Sequence, residues 1–513
     1  MYRKPSRQMT LDDFILPFSG SLSADNRWVR LAHIIPWDEI EKDYAFLFPS
    51  DRGHVAKPVR MALGSLIIQA KCGYSDRETV QQITENPYLQ YFIGLREYQI
   101  QKPFTPVAMV KFRKRFSAKR MEKINELIIK AEADQTAEEA LRQKEQPTAK
   151  DTDDDDTNHP DNPSPVITTK GKKREDTDTP LPKANQGTLI LDATCAPADI
   201  RFPTDVGLLN EAREKLDDMI DILHNDSGKQ QRRPRTYREI ARKQYLTLSK
   251  QRSPKGNQIR KAVKQQLQYA SRNLRVVDKL LDTASREKEP SALSHRYLNL
   301  LATIRTLIDQ QTAMYQTGSH RIPDRIVNLH QPHIRPIVRG KAGAAVEFGA
   351  KIAISLHNGY SQIEKLSWDP FNEASTLVDT VERYREQYGC YPKAILADRI
   401  YRNRDNLAYC KTHSIRMSGP RLGRPIANAV LKKAEKRLEK QDARERNAVE
   451  GKFGEGKRKY SLSRIMARLK GTAECVIAMQ FFVMNLEHKL KVLFVQIFCM
   501  LFKRENRNVV AVV

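Results

Sequence analysis

TLILDAT, residues 188 to 194, and AILAD, residues 394 to 398, are short apolar runs that each reach an aspartate. Runs of this length, rich in aliphatic side chains, read as buried strands. Asp192 and Asp398 therefore stand at the ends of two such strands. An unpaired carboxylate in that position costs on the order of several kcal/mol unless it meets a cation or a metal. Between the two runs, AVEFGAKIAISLHNGYSQIEKLSWD (345 to 369) reads as a hairpin turning near Asn358-Gly359. Residues 375 to 388 and about 426 to 470 read as helices. Strands and helices in this order predict an α/β domain around a mixed sheet.

The chain has 513 residues, with 88 Lys and Arg against 62 Asp and Glu, a formal charge of +26. This length suggests more than one folded unit. Composition excludes collagen-like and wholly disordered classes. The apolar run Val492 to Phe502 is far shorter than the roughly 20 residues of a membrane crossing. The start, MYRKPSRQMTLDDF, is charged with no apolar stretch behind it, so no signal peptide and a cytoplasmic compartment are expected. The six cysteines form no CxxC pair, which argues against a zinc site or a disulfide framework. The strong positive balance favours a polyanionic partner such as nucleic acid, a signature shared by ribosome-associated and membrane-surface proteins.

Upstream of the strands, residues 1 to 134 read as an all-α domain. Leu63, Leu66, Ile67 and Ala70 recur at helical spacing, Gly73 and Tyr74 break the run, and Ser75 with Glu78 forms a capping box for the next helix. Thr105 and Pro106 open a further helix carrying Lys111, Arg113, Lys114 and Arg115. Helix, turn, helix and then a basic helix is the outline of a DNA-reading module, with Lys111, Arg113 and Arg115 as candidate contacts; a helical bundle with a solvated basic face is the plain alternative. Residues 135 to 187, acidic and Pro-rich with few apolar side chains, read as a disordered linker. Residues 188 to 490 are expected to form the catalytic unit and 491 to 513 a tail. Inside that unit, about 206 to 320 reads as a helical insertion. From Lys229 to Lys279 it holds 16 Lys or Arg but only two acids, Glu239 and Asp278. An imbalance this steep favours contact with a phosphate backbone over an ordinary solvated face.

A third acid, Glu450, lies in RNAVEGKFGEGKRKY. At about 100° per residue, Arg446, Glu450 and Lys457 fall on one helix face. A carboxylate flanked by two cations could bind metal while they grip phosphates, whereas a solvated i, i+4 pair is the plain alternative. Oxygen-only ligands select hard ions, Mg²⁺ or Mn²⁺.

The whole pattern resembles a DDE transposase of a bacterial insertion sequence, in the insertion sequence five superfamily branch. LILDAT carries the first acid, Asp192. LADRIY carries the second, Asp398, with Arg399 and Tyr401. Arg446, three residues, Glu450, six residues and Lys457 follow that family's signature around the third, although Ala443 stands where the signature has Tyr, and Gly451, Gly454 and Gly456 soften the helix. The 206 residues between Asp192 and Asp398 are long for the family and are attributed to the insertion. KPVRMALGSLIIQAKCGYSDRETVQQITENPYLQYFIGL and HQPHIRPIVRGKAGAAVEFGAK match the helical N-terminal domain and the entry to the second strand. The resemblance implies an RNase H-like catalytic core and metal-dependent cleavage of DNA at the transposon ends, then strand transfer into target DNA. It implies two Mg²⁺ ions, or Mn²⁺ in their place, on Asp192, Asp398 and Glu450, with Arg446, Lys457, Arg399 and Tyr401 positioning DNA. It also implies a homodimer in the DNA complex and a cytoplasmic, nucleoid-associated location. The missing Tyr and the extra glycines motivate a rival, a transposase-derived DNA-binding protein that cleaves weakly or not at all. A basic RNA-processing nuclease is more distant.

Overall fold

A computed structural model describes residues 2–4, 10–17, 20–50, 52–130, 184–226, 232–286, 292–341, 344–420 and 429–510. The linker expected over 135 to 187 lies outside them except for residues 184–187.

Six strands form one mixed sheet: β1 (Thr188–Pro197), β2 (Arg335–Lys341), β3 (Ala344–His357), β4 (Tyr360–Ser367), β5 (Ala394–Leu396) and β6 (Arg416–Met417). β1 is central, antiparallel to β3 on one side and parallel to β5 on the other, with β6 parallel outside β5. The far edge of β3 pairs with β2 along its first half and with β4 along its second. The β3–β4 hairpin turns at Asn358 and Gly359, with φ of 49° and 82°. Two successive positive φ values suit an Asn-Gly turn, which matches the twist of the flanking strands. Gly359 is needed twice over, because a Cβ there would collide with the His488 ring.

Side chains alternate across the sheet. Leu189, Leu191 and Ile395 pack with Leu377, Val381 and Tyr384 on one face. Ile190 and Leu396 turn to the other, in a core that also holds Val449 and Phe453.

The N-terminal helices are α1 (Arg27–Ile34), α2 (Trp37–Ala45), α3 (Val59–Cys72), α4 (Asp76–Glu85), α5 (Pro87–Phe92), α6 (Val107–Arg115) and α7 (118–130). Ser75 caps α4 by accepting the Glu78 N–H at 3.2 Å, and Gly73 ends α3 at φ 70°. α6 begins at Val107, with Pro106 rather than Thr105 preceding it and no side-chain cap. From Val59 to Ile68 every residue of α3 is buried. A helix buried on all sides is a core element, and α3 packs against the far end of the chain. Leu63, Leu66 and Ile67 share one core with Ile477, Phe481 and Phe482 of α15 (Lys470–Val510) and with the sheet. Asn485 on α15 stitches the parts together: its amide donates to Asn125 Oδ1 of α7 at 2.8 Å and to the Ser361 carbonyl of β4 at 2.7 Å, while its Oδ1 accepts the Ser361 N–H at 2.9 Å. Lys71 and Glu487 form an ion pair beside it. The segment read as a separate N-terminal domain thus wraps the C-terminal helix. That helix runs on to Val510, through the stretch expected as a tail.

The insertion is four helices, α8 (Asp205–Asp226), α9 (Arg238–Ser249), α10 (Gly256–Arg286) and α11 (His295–Thr317), around a second core of Leu209, Leu216, Ile220, Ala270, Ile304 and Leu307. Within it the buried Arg213 reaches Asp217 at 2.8 Å, and Asp217 accepts from Asn273 of α10 at 2.8 Å. Among the described residues, three more α-helices stand between the insertion and α15. α12 (Leu377–Tyr388) and α13 (Arg404–Thr412) cover one face of the sheet, and α14 (Ala429–Lys459) packs on β1 and β5. Among the described residues, no helix is long and apolar enough to cross a membrane.

Candidate functional site

The last register pair of β1 and β5 is Ile190 with Leu396. Two residues further along each parallel chain stand Asp192 and Asp398. By alternation both side chains turn to the face of Ile190 and Leu396, and the backbone at Asp398 remains extended, with φ −71° and ψ 163°. The intervening Leu191 and Ala397 lie in the opposite core. Two aspartates are thereby set side by side just past the end of β5, with Asp192 in the middle of β1.

Asp192 is half-buried, and burial pushes its carboxyl above the usual range. The Ala193 N–H, 2.7 Å from Oδ1, and the Arg446 guanidinium pull it down, while the carboxylates of Glu373 and Asp398 push it further up. Asp398 caps a short 3-10 turn, Arg399–Tyr401, accepting the Arg399 N–H at 2.7 Å, and its side chain is 57% exposed. Arg446 reaches Asp398 from α14 at 3.4 Å. α14 is held over the strand ends by Val449 and Phe453 and by a two-pronged pair in which Arg416 of β6 meets the buried Asp442 at 2.6 and 2.9 Å.

The structure therefore brings Asp192, Asp398 and Arg446 together. Glu450 lies one helical turn beyond Arg446, about 40° around the helix, and is exposed. Lys457 follows two turns later, part-buried. Despite Gly451, Gly454 and Gly456, α14 is unbroken from Ala429 to Lys459. Gly456 has a packing reason: a Cβ there would press Leu462 at 3.1 Å and Met484 at 3.4 Å. Arg399 is exposed beside Asp398. Among the described residues, no group of three or more His, Cys, Asp or Glu closes into a cluster that could hold a metal ion. The donors of the Asp192–Asp398 pair are nonetheless all carboxylate oxygens, the kind that hard divalent ions take.

Several expected DNA contacts are otherwise occupied. Tyr401 is fully buried, its hydroxyl against Thr376, and burial pushes its pKa up. A ring with no exposed surface makes no contact with DNA, so Tyr401 instead underpins the turn behind Asp398. Arg113 is spent on Asp76 of α4, at 2.6 and 2.8 Å, and on Gln69 at 2.9 Å. Burial raises the Asp76 pKa, but Arg113 and Gln69 outweigh it and hold it below the usual range. Arg115 bonds the Tyr44 hydroxyl at 3.2 Å and stacks 4.8 Å over Phe48. Lys111 and Lys114 stay exposed.

One neighbour went unread in the sequence. Glu373, in the 3-10 turn Glu373–Thr376, pairs with Lys351 of β3 at 2.9 Å and is the first charge to act on Asp192. Its only local signal is the Asn372 cap before it, whose side chain accepts the Ala374 N–H. The contacts that matter are tertiary.

Residues 395–487, which carry Asp398, Arg446, Glu450 and Lys457, match the family model described as a transposase DDE domain. Residues 17–115, which cover α1 to α6, match a transposase domain described as DUF772. These two matches support a DDE transposase of an insertion sequence. An uncharacterized protein of Rhizobium meliloti, ORF8 in the nfe locus, is 29% identical over 103 residues, which make up 20% of this chain and 49% of that protein. The chain thus spans about half the length of that curated relative. No solved structure matches the chain.

Proposed function

We propose that the chain cleaves DNA at transposon ends in a divalent-metal-dependent reaction and then joins the freed end to target DNA. The observation that carries this reading is the register of β1 and β5, which sets Asp192 beside Asp398 under Arg446. The strand order β4-β3-β1-β5-β6, with β2 sharing the outer edge of β3 and β3 alone running against the other strands, supports an RNase H-like core. In this reading Asp192, Asp398 and Glu450 hold the ions, Mg²⁺ or Mn²⁺. Divalent ions bound there supply a Lewis acid that activates the attacking oxygen and offsets charge on the leaving one.

The chain's own residues do the rest. Carboxylates suit the site because their charged oxygens are the ligands that hard divalent cations take. The exposed Asp398 leaves the site open to a strand arriving from solvent. Arg446 holds Asp398 and, with the exposed Arg399 and with Lys457, presents cations to the phosphates on either side of the scissile bond. Holding two ends at once requires two copies, so a homodimer on DNA belongs to the proposal.

The test is a cleavage assay on DNA carrying the sequences that flank the gene, with and without Mg²⁺. Wild-type protein should cut only with the ion, and Asp192→Ala should lose at least about 10³-fold in rate, roughly 4 kcal/mol. Identical products from both proteins would contradict catalysis at this site and favour a binding protein descended from a transposase.

A further inference from the structure

The excess of positive charge in the insertion is not spread evenly. Arg233 and Arg238 are spent on Asp221, and Arg305 of α11 is spent on Asp278 at 2.5 Å. Apart from Arg260, which stacks 4.8 Å over Tyr315 of α11, the cations of α10 from Lys261 to Lys279 fall in a line: Lys261, Lys264, Arg272, Arg275 and Lys279 are all exposed, with the exposed Gln268 between them. At 100° per residue these positions span an arc of about 80°. The opposite face carries the buried Ala262, Val263, Leu267, Ala270, Asn273 and Val277. From Lys261 to Lys279 the line is about 27 Å long at 1.5 Å per residue. No acid interrupts it, and Asp282 closes it one turn beyond.

At the line's middle, Arg272 stacks 4.6 Å from the Tyr237 ring, and Arg235 stacks on the same ring at 4.6 Å. Tyr237 stands at the head of α9 in the left-handed region, with φ 55°. Among the described residues, neither guanidinium forms an ion pair, and nor does any other cation of the line. Like charges gathered without a counter-ion repel unless an outside anion joins them.

We propose that this face of α10, with Arg235 beside it, docks the phosphate backbone of duplex DNA. A narrow row of cations along one helix face suits phosphates, and among the described residues no exposed aromatic ring lies along it, which argues against base stacking. The surface itself rests on charge and spacing, whereas the choice of DNA as the polyanion rests on the proposed function.

The experiment uses full-length protein, a duplex of about 30 base pairs of unrelated sequence, and no divalent ion, so cleavage plays no part. K261Q/K264Q/R275Q/K279Q should lower the slope of log affinity against log salt by about three to four, at roughly 0.9 per phosphate contact. Between about 50 and 200 mM salt, wild-type affinity should accordingly fall about 10²-fold more than that of the variant. K264Q/K279Q, which disturbs the helix less, should lower the slope by about two. Unchanged slopes in both variants overturn the surface, and tighter wild-type binding to structured RNA than to duplex overturns the choice of DNA. An Asp192→Ala protein that cleaves like wild type would contradict the proposed function without altering these slopes.

Discussion

At the scale of single residues, the two aspartates were legible because each closes an apolar run, and a carboxylate there needs a reason. Their meeting follows from strand register alone. What the residues did not reveal is which way neighbours point. Tyr401 sits three residues from Asp398 in one motif, yet it faces the core. Arg113 and Arg115 belong to a basic run whose partners, Asp76 and Tyr44, are distant in sequence. Glu373 shows no local pattern linking it to Asp192. Burial of Asp192, with the carboxylates of Glu373 and Asp398 close by, leads to a prediction about pH. The folded pKa of Asp192 is raised, so its ionised form costs stability at neutral pH, and that cost disappears as pH falls through the raised value toward the unfolded one near 3.9. Without divalent ions, Asp192→Asn should therefore melt higher than wild type at pH 7, with the gap closing toward about pH 4. A variant that melts lower than wild type at pH 7 would show that burial and its neighbours do not destabilise the ionised carboxylate.

At the scale of elements, helix α14 carries the site, and its glycines invite a test. Gly456 is pinned against Leu462 and Met484, whereas a Cβ on Gly451 meets nothing within 4 Å. Gly451→Ala should therefore stabilise the protein by about 0.5–1 kcal/mol, measured by denaturant titration, because Ala loses less backbone freedom in a helix. A loss of stability would mean that the position is strained in a way its open surroundings do not explain. The elements themselves were mostly readable: the Asn358-Gly359 hairpin, the Ser75 cap and the strand runs all carry local signals. The start of α6 moved by one residue because Pro106 fixes the entry without a capping bond. The reach of α15 to Val510 was not readable, since the apolar run Val492 to Phe502 has no one-sided helical pattern and the charged stretch from Lys503 follows it.

At the scale of the whole molecule, the α/β class was read from the order of strands and helices, but the sharing of cores was not. Charge and length marked residues 135 to 187 as a boundary, and the tertiary contacts ignore it: Leu63 and Ile67 pack with Phe481 and Phe482 across more than 400 residues of chain. Among the described residues, the insertion forms a core apart from the shared one, joined by Ile326 and Leu329 of the segment that follows it. Calorimetry should accordingly show more than one transition, the insertion melting apart from the common core of α3, α15 and the sheet. A single transition whose calorimetric and van't Hoff enthalpies agree would contradict separate cores.

In the proposed reaction three carboxylates, Asp192, Asp398 and Glu450, serve one ion site. Manganese titration of the protein bound to duplex DNA, followed by electron paramagnetic resonance, reads that directly. Wild-type complex should take up Mn²⁺ tightly, and Asp192→Asn, Asp398→Asn and Glu450→Gln should each lose the same bound signal. A Glu450→Gln complex that binds Mn²⁺ as wild type does would contradict the shared site.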